Sequence, residues 1–404
     1  MSAAGARSVP CCPVCGSSGR PLLNLTAQPI YQHPVPEGTA VPPPYVVDLS
    51  WMACVNCAHG WQVEIDDGLL ESIYRSHYYT PAPGGMAITF RNEFLATMDR
   101  FGLLGPKRRL LEIGASDGDV LAELQRRTKA PEAYAFEPNE ENVAIAAQRG
   151  LAVQARFFGR DAAAYVEGPV DLIYARHVIE HVFEFDDFFL GLNAVTAENA
   201  DLVLETPSLD EHARRCSIAP FHIEHVHVFS LRSLSTLALR HGWRMLHSKV
   251  TSDGNLIAAF AKADARKPCA ETVDSPMPEF GGLQVAVTAR LDRLRALLAD
   301  RYLAFWGAGS AGVSMVSTIG REPNLWTDGN PNKVGKVFVG LESRIASPEL
   351  VFQEANQRIA ENPILLITSS FLSEILPRVR QLGWNGEVLD LDGNRVIDPR
   401  PAHG

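Results

Sequence analysis

The chain has 404 residues, too many for one ordinary core, so two or three domains are expected. A hydrophobic share of 46% suits globular folding, and 47 acidic against 37 basic residues, a formal charge of -10, argue against a nucleic-acid binder held by a general electrostatic field. The opening MSAAGARSVP lacks the apolar stretch of a secretion signal and no run of about 18 apolar residues occurs, so a cytosolic chain with reduced cysteines and no membrane span is expected.

Two C-x-x-C pairs come first, Cys12 and Cys15 in CCPVCG and Cys54 and Cys57 in CVNCAHG. Each short turn can point two thiolates at one ion, and two such turns complete a closed tetrahedral site, which predicts structural Zn2+. Cys11 and His59 are the rival ligands. The proline-rich PIYQHPVPEGTAVPPPYVVDL between the pairs forbids a long helix and predicts extended or hairpin connections, giving a small zinc-binding module over residues 1–65. LLESIYRSHYYTPAPGG then starts as a helix and ends in a turn with Tyr78 and Tyr79, which packing between domains would explain.

From Met86 to Leu104, Phe90, Phe94, Leu95, Met98 and Phe101 recur at helical spacing. RLLEIGASDGDVL follows: a strand of Leu110, Leu111 and Ile113, a turn holding Gly114 and Gly118, and a helix from Asp119. Such a turn brings bare backbone and orphan N–H groups to one point, which suits a nucleotide-like ligand. The predicted elements continue as helix Asp119 to Arg127, strand Ala133 to Phe136, helix Glu140 to Arg149 closed by Gly150, strand Val170 to Ala175 and strand Leu202 to Glu205. That alternation implies a mainly parallel, doubly wound sheet with its ligand at the carboxyl ends of the strands.

The E-x-G-x-x-x-G spacing of Glu112, Gly114 and Gly118 resembles the nucleotide-binding loop of class I S-adenosyl-L-methionine (SAM) methyltransferases. Glu137, in AFEPN before Pro138, ends the second strand where a carboxylate can accept both ribose hydroxyls; the alternative is an acid favouring the following helix N-terminus. Ser116 and Asp117 are candidates for the methionine end, or stabilise the turn. YARHVIEHV then places Arg176, His177, Glu180 and His181 at the sheet edge. Its H-x-x-E-H order matches a zinc-protease signature, but that motif sits inside a helix, whereas this segment leaves a buried strand. The expectation is His177 lining the methionine pocket, and an ordinary helix surface for the others.

APFHIEHVHVFSLRSL packs His222, Glu224, His225 and His227 close together. Strand alternation would put His222 and Glu224 on one face and His225 and His227 on the other, while a turn could bring Glu224 and His225 to one ligand. A carboxylate beside an imidazole can orient it and raise its basicity, supplying a general base near neutral pH; zinc is the rival explanation.

In the order of zinc knuckles, YYT-P turn, EIGASDG, FEPN, HIEHVHVFS and a second Rossmann-like segment, the chain resembles the sugar C-methyltransferases of deoxysugar biosynthesis over nearly its whole length. LLNLTAQPI also resembles that family's leucine-rich stretch. The resemblance implies an α/β chain in three parts: the zinc module, a class I SAM methyltransferase Rossmann-like sheet over 66–262, and, past a 263–282 linker, a second Rossmann-like α/β domain over 283–404 that helps hold a nucleotide-linked keto sugar. The family pattern Tyr-x-Glu-His-x-x-x-Phe-Ser falls on His222, Glu224, His225, Phe229 and Ser230, with His222 in place of the tyrosine. Tyr78 and Tyr79 match the family's tyrosine pair. At TSDGNLIAAF a His-Gly-Gly-Ser-like turn is replaced, leaving Asn255 as a candidate substrate contact. The two departures suggest a shifted acceptor.

Helix Gln284 to Asp300 leads into YLAFWGAGSAGVSMV, where Gly307, Gly309 and Gly312 make G-x-G-x-x-G between a strand and a helix, and Asp328 ends the next strand. Alone this predicts a dinucleotide and an NAD-dependent oxidoreductase. The sugar C-methyltransferases have a similar turn followed by Asp-x-Asn-Pro, here Asp328 and Asn330 with Lys333 beyond, so the resemblance gives the loop to the nucleotide sugar. The expected chemistry is C-methylation through an enolate: His225, oriented by Glu224, removes the proton beside the ketone, and His222 with Tyr78 or Tyr79 stabilises the enolate oxygen. A methyltransferase of the same architecture acting on another small metabolite is the alternative.

Overall fold

In the central strand Arg109–Ile113, Leu111 and Ile113 point into one apolar layer with Phe136, Ile173 and Leu204, while Leu110 points into the other with Phe94, Leu121 and Tyr174. A strand buried on both faces belongs inside a parallel sheet covered by helices. The computed structural model, which describes residues 7–75, 86–106, 109–263, 280–369 and 372–397, builds that sheet from seven strands. Their order is Val153–Gln154, Glu132–Phe136, Arg109–Ile113, Val170–Arg176, Thr196–Pro207, Asn255–Lys262 and Trp243–Val250. The first five are parallel, and Asn255–Lys262 runs antiparallel to both neighbours. The chain steps outward on one side of Arg109–Ile113 and then, from Val170, on the other, which opens a crevice at that strand's carboxyl end. This is a class I methyltransferase sheet.

The four predicted strands all lie in it. Two features differ from the sequence reading. TSDGNLIAAF is the connection and second leg of an antiparallel hairpin, and the Met86 helix stops at Arg100, where Gly102 takes the left-handed conformation (φ 75°) that ends a helix.

The proline-rich segment joins two hairpin legs, Gly19–Pro29 and Val46–Cys54, to which Gly60–Gln62 adds. The fourth strand of this sheet is His227–Val228, from far downstream, so the cysteine-bearing N-terminal module does not close on itself. Alternation is accordingly confined to His227 and Val228; His222 to His225 form a turn, closed by the His225 N–H donating to the His222 carbonyl at 3.1 Å.

The C-terminal sheet has six strands in the order Ile345–Ala346, Leu325–Thr327, Leu303–Trp306, Ile364–Ile367, Glu387–Leu389 and Arg395–Ile397, all parallel except the last pair. Helix Leu283–Leu298 precedes it, within two residues of the predicted bounds. One apolar core runs from Leu22, Leu25 and Trp51 through Phe221 and Val226 to Phe305 and Trp326, joining all three parts. Truncating a fully buried anchor such as Trp51 to Ala would cost about 3–5 kcal/mol. Val35 and Val337 exchange backbone hydrogen bonds of 2.8 and 3.0 Å across the same seam. Among the described residues no helix is long and apolar enough to cross a membrane.

Candidate active site

The donor half begins where Arg109–Ile113 runs out. Gly114 (φ 74°), Ser116 (φ 48°) and Gly118 (φ 75°) turn the chain into helix Asp119–Thr128 through left-handed backbone. Glycine is required twice: a Cβ at Gly114 would come within 2.4 Å of Val178 Cγ2, and one at Gly118 within 2.4 Å of Leu151 Cδ1. Gly118 itself carries no side-chain cap, while Asp117 Oδ1 accepts the N–H of Asp119, the first helical residue, at 3.2 Å.

Glu137 closes this half. Its Oε2 accepts the Ser116 N–H at 2.8 Å and its Oε1 accepts the Asn139 N–H at 2.9 Å, which fixes the carboxylate at the ends of two adjacent strands. Burial raises its pKa, against the pull of those two N–H groups. Past Pro138, Asn139 caps the next helix by accepting from the Asn142 N–H at 3.0 Å. Asp117 is drawn to Arg149, at 2.8 Å, and accepts the Asp119 N–H, so it braces the turn. Glu112 lies buried near Tyr174 and Arg176, and burial lifts its pKa to about 8, so it is a neutral carboxyl under the turn at pH 7. The left-handed turn into the helix, the close-approach glycines and the fixed acid fit the nucleoside and methionine parts of SAM.

The acceptor half starts at the end of Val170–Arg176. The His177 N–H donates to the Glu205 carbonyl at 2.8 Å, its backbone takes φ 52°, and its ring Nδ1 lies 3.3 Å from Glu180 Oε1. The single turn Ile179–His181 then carries Glu180 inward. Here the sequence reading is corrected: Glu180 and His181 are not helix surface. Glu180 is fully buried with one oxygen unpartnered, and His181 donates from Nδ1 to the Glu224 carbonyl at 2.7 Å and packs edge-on against His225, ring centroids 4.8 Å apart. Arg176 is paired with Glu205 beneath the sheet edge. The Tyr74 hydroxyl donates to the same Glu224 carbonyl at 2.8 Å.

A second correction concerns His225. Its Nδ1 lies 3.0 Å from the Pro220 carbonyl, which can only accept, so Nδ1 carries the proton and Nε2 the lone pair. The orienting group is therefore a backbone carbonyl and not Glu224, whose Oε1 lies 3.7 Å from His33 Nε2. The carboxylate near the His225 ring is Glu180: one of its oxygens, one nitrogen of His181 and one of His225 all lie within 4.8 Å of one another. The His222 ring stacks obliquely on His225 at 3.8 Å with its Nδ1 buried and unpartnered. Burial holds His222 at about 4 and depresses His225 well below the usual histidine range, aided by His222, His181 and His177, so both rings are neutral at pH 7. Tyr78 and Tyr79 fall outside the described residues.

Cys12, Cys15, Cys54 and Cys57 converge, with sulfurs 3.6 Å apart for Cys12 and Cys57 and 3.4 Å for Cys15 and Cys54. A tetrahedron of sulfurs at about 2.3 Å from zinc has edges of roughly 3.8 Å, so the four thiols fit such an ion with small adjustment. The contact with Cys57 brings the Cys12 thiol down to about 6. Cys11 is exposed, and His59 faces His227 at 3.1 Å instead of the cluster.

In the C-terminal sheet, Gly307 (φ 125°) packs on Thr368 and Gly312 on the Gly307 carbonyl, while Gly309 leads openly into helix Ser310–Ile319. Asp328 accepts the N–H groups of Ala308 at 2.7 Å and Asn330 at 2.8 Å and pairs with Lys333 at 3.0 Å. Asn255 donates to Asp253 at 2.9 Å within its own turn. Among the functional candidates, sequence reasoning missed Glu180, His181, Tyr74, His33 and Gln62. The H-x-x-E-H spacing was the one available signal, and only for the first two.

The sheet order and the donor turn define an enzyme class, and residues 87–248 match the family model described as "Methyltransferase domain". The chain is a SAM-dependent methyltransferase. C-methyltransferase NovU of Streptomyces niveus is 26% identical over 307 residues, covering 68% of this chain and 72% of NovU. Solved structures with likeness include a SAM-dependent methyltransferase from Aquifex aeolicus, at 18% identity and TM-score 0.35, covering 42% of this chain and 90% of that one. Magnesium protoporphyrin IX methyltransferase from Synechocystis PCC 6803 with bound SAM, at 11% identity and TM-score 0.35, covers 48% and 97%.

Proposed function

We propose that this enzyme methylates carbon, at the position beside the carbonyl of a nucleotide-activated keto sugar. One observation carries the reading. The short segment from Val178 to His181 abuts the Gly114 turn at one end and the His225 ring at the other, so donor and acceptor halves share a wall. The similarity to a protein named C-methyltransferase supports it.

His225 accepts the proton from the carbon beside the ketone on Nε2, leaving the electron pair in an enolate. Glu180 lies close enough to balance the imidazolium that forms, and the stabilisation of the enolate oxygen is assigned to His222 with Tyr78 or Tyr79. Bound SAM would supply an electrophilic methyl with its sulfur as the leaving group, so that the enolate carbon would take the methyl while sulfur keeps the electron pair of the broken bond and the ketone re-forms. His225 then returns its proton to solvent. Gly114, Ser116, Gly118 and Glu137 hold the donor, with Glu137 accepting the ribose hydroxyls. The four cysteines hold structural zinc, and Gly307, Gly309, Gly312, Asp328, Asn330 and Lys333 take the nucleotide end of the acceptor.

The test is product NMR after incubation with SAM bearing a 13C methyl and a set of nucleoside diphosphate keto sugars. The expected product shows the label bonded to a sugar carbon beside the former ketone. Label on oxygen or nitrogen would overturn carbon methylation and favour an enzyme of the same build for another small metabolite, the reading that His222 and the Asn255 turn motivate.

A further inference from the structure

We infer that Gln62, five residues beyond the second zinc knuckle, is a positioning residue for the acceptor-side base. The inference rests on the reading of His225 as that base. Gln62 is 2% exposed, and its Nε2 donates to three backbone carbonyls, those of His222 at 3.0 Å, Ile223 at 2.9 Å and His225 at 3.0 Å. Its backbone N–H donates to a fourth, Val226, at 3.0 Å. Two amide hydrogens serve three acceptors, so at least one is shared.

Three carbonyl oxygens pointing at one buried spot repel each other and are cut off from water. A donor at their centre removes that penalty, and without it the turn opens. The turn is what presents the rings of His222 and His225, so a side chain that touches neither ring fixes where both of them point. The rest of the knuckle grips the same segment: Ser230 Oγ donates to the Cys57 carbonyl at 3.3 Å and Arg232 Nε to the Asn56 carbonyl at 3.1 Å. His227 donates from Nε2 to the Val182 carbonyl at 3.0 Å, so its Nδ1 accepts from His59 Nε2 at 3.1 Å, and this chain ends one residue past His181. The zinc module is thus the template on which the acceptor turn is laid.

Gln62→Met keeps the length and removes the donors; Gln62→Glu keeps the shape. In both, zinc content and the affinity for S-adenosylhomocysteine stay within about 2-fold of the parent, while kcat falls on the order of 10²-fold and the acceptor KM moves less than about 3-fold, as a misplaced group of roughly 1 Å dictates. Long-range 15N spectra of histidine-labelled protein show His225 as the Nδ1–H tautomer in the parent and shifted or mixed in the variants. Turnover of Gln62→Glu relative to the parent recovers as pH falls from about 8 to about 6, because the introduced carboxyl regains a donor on protonation. An unshifted His225 signal overturns the inference, and so does loss of zinc or S-adenosylhomocysteine affinity in step with turnover. A parent enzyme inert toward every keto sugar sinks the functional reading instead, and the histidine spectra still decide the role of Gln62.

Discussion

His225 is fixed by Pro220: the 3.0 Å contact to a carbonyl forces the proton onto Nδ1 and leaves Nε2 as the basic atom. Replacing His225 with Asn keeps a donor for Pro220 and removes the base. Turnover should fall by about 10²- to 10⁴-fold with S-adenosylhomocysteine affinity unchanged. Calorimetry and steady-state rates check both halves, and a fully active His225→Asn enzyme removes the base assignment.

Glu180 rather than Glu224 is the carboxylate near His225, the proposed base. Glu180→Gln should lower turnover by roughly 10-fold or more and move the acidic limb of the rate profile, since the imidazolium loses its nearby negative charge. Glu224→Gln should move that limb less. Rate against pH for the two variants decides between them.

Glu137 braces the donor turn through Ser116 and Asn139 and is the proposed ribose acceptor. Glu137→Ala removes two charge-assisted hydrogen bonds to the ligand and unties the turn. S-adenosylhomocysteine should bind about 10²- to 10⁴-fold more weakly, since roughly 1.5–3 kcal/mol per bond to a charged group makes about 3–6 kcal/mol for two. Titration calorimetry reads this directly.

The cysteine cluster predicts one metal-dependent transition. Purified protein should carry zinc by elemental analysis, and Cys54→Ser or prolonged chelation should lower the Tm and abolish turnover together, because Gly60–Gln62 continues from that knuckle into the sheet shared with His227–Val228. Full activity in metal-free protein would refute the structural role.

Burial holds His222 at about 4, below the ordinary histidine value of 6.5. Between those values the unfolded chain takes up a proton that the folded chain refuses, so stability is full above about 6.5 and declines as pH falls toward 4. His225 adds to the same window. His222→Tyr installs a group that does not titrate there, so the loss of Tm between about pH 7 and 4.5 should shrink. Melting curves across that range test it.

Local patterns were legible wherever a few neighbouring residues settle the geometry. Gly114 and Gly118 announced a tight turn between a strand and a helix, and paired C-x-x-C spacing a four-sulfur cluster; each depends on backbone conformation within a handful of residues. His222 to His225 were legible as a polar cluster with strand alternation and a turn both open, because nothing local to them supplies the donor that makes the turn possible.

By itself, then, the sequence determined the strand, glycine turn and helix around Gly114, from apolar periodicity and from where glycine alone fits, and it proposed Glu137 for the ribose from its place at the end of the next strand. The tertiary structure decided the acceptor half. Gln62 meets the carbonyls of residues 222, 223 and 225, His181 meets Glu224, and Glu180 comes near His225, only because strand His227–Val228 pairs with Gly60–Gln62 and draws two distant stretches of chain together. Contacts of that kind arise from sheet pairing and core packing over long separations, and no spacing within either stretch encodes them.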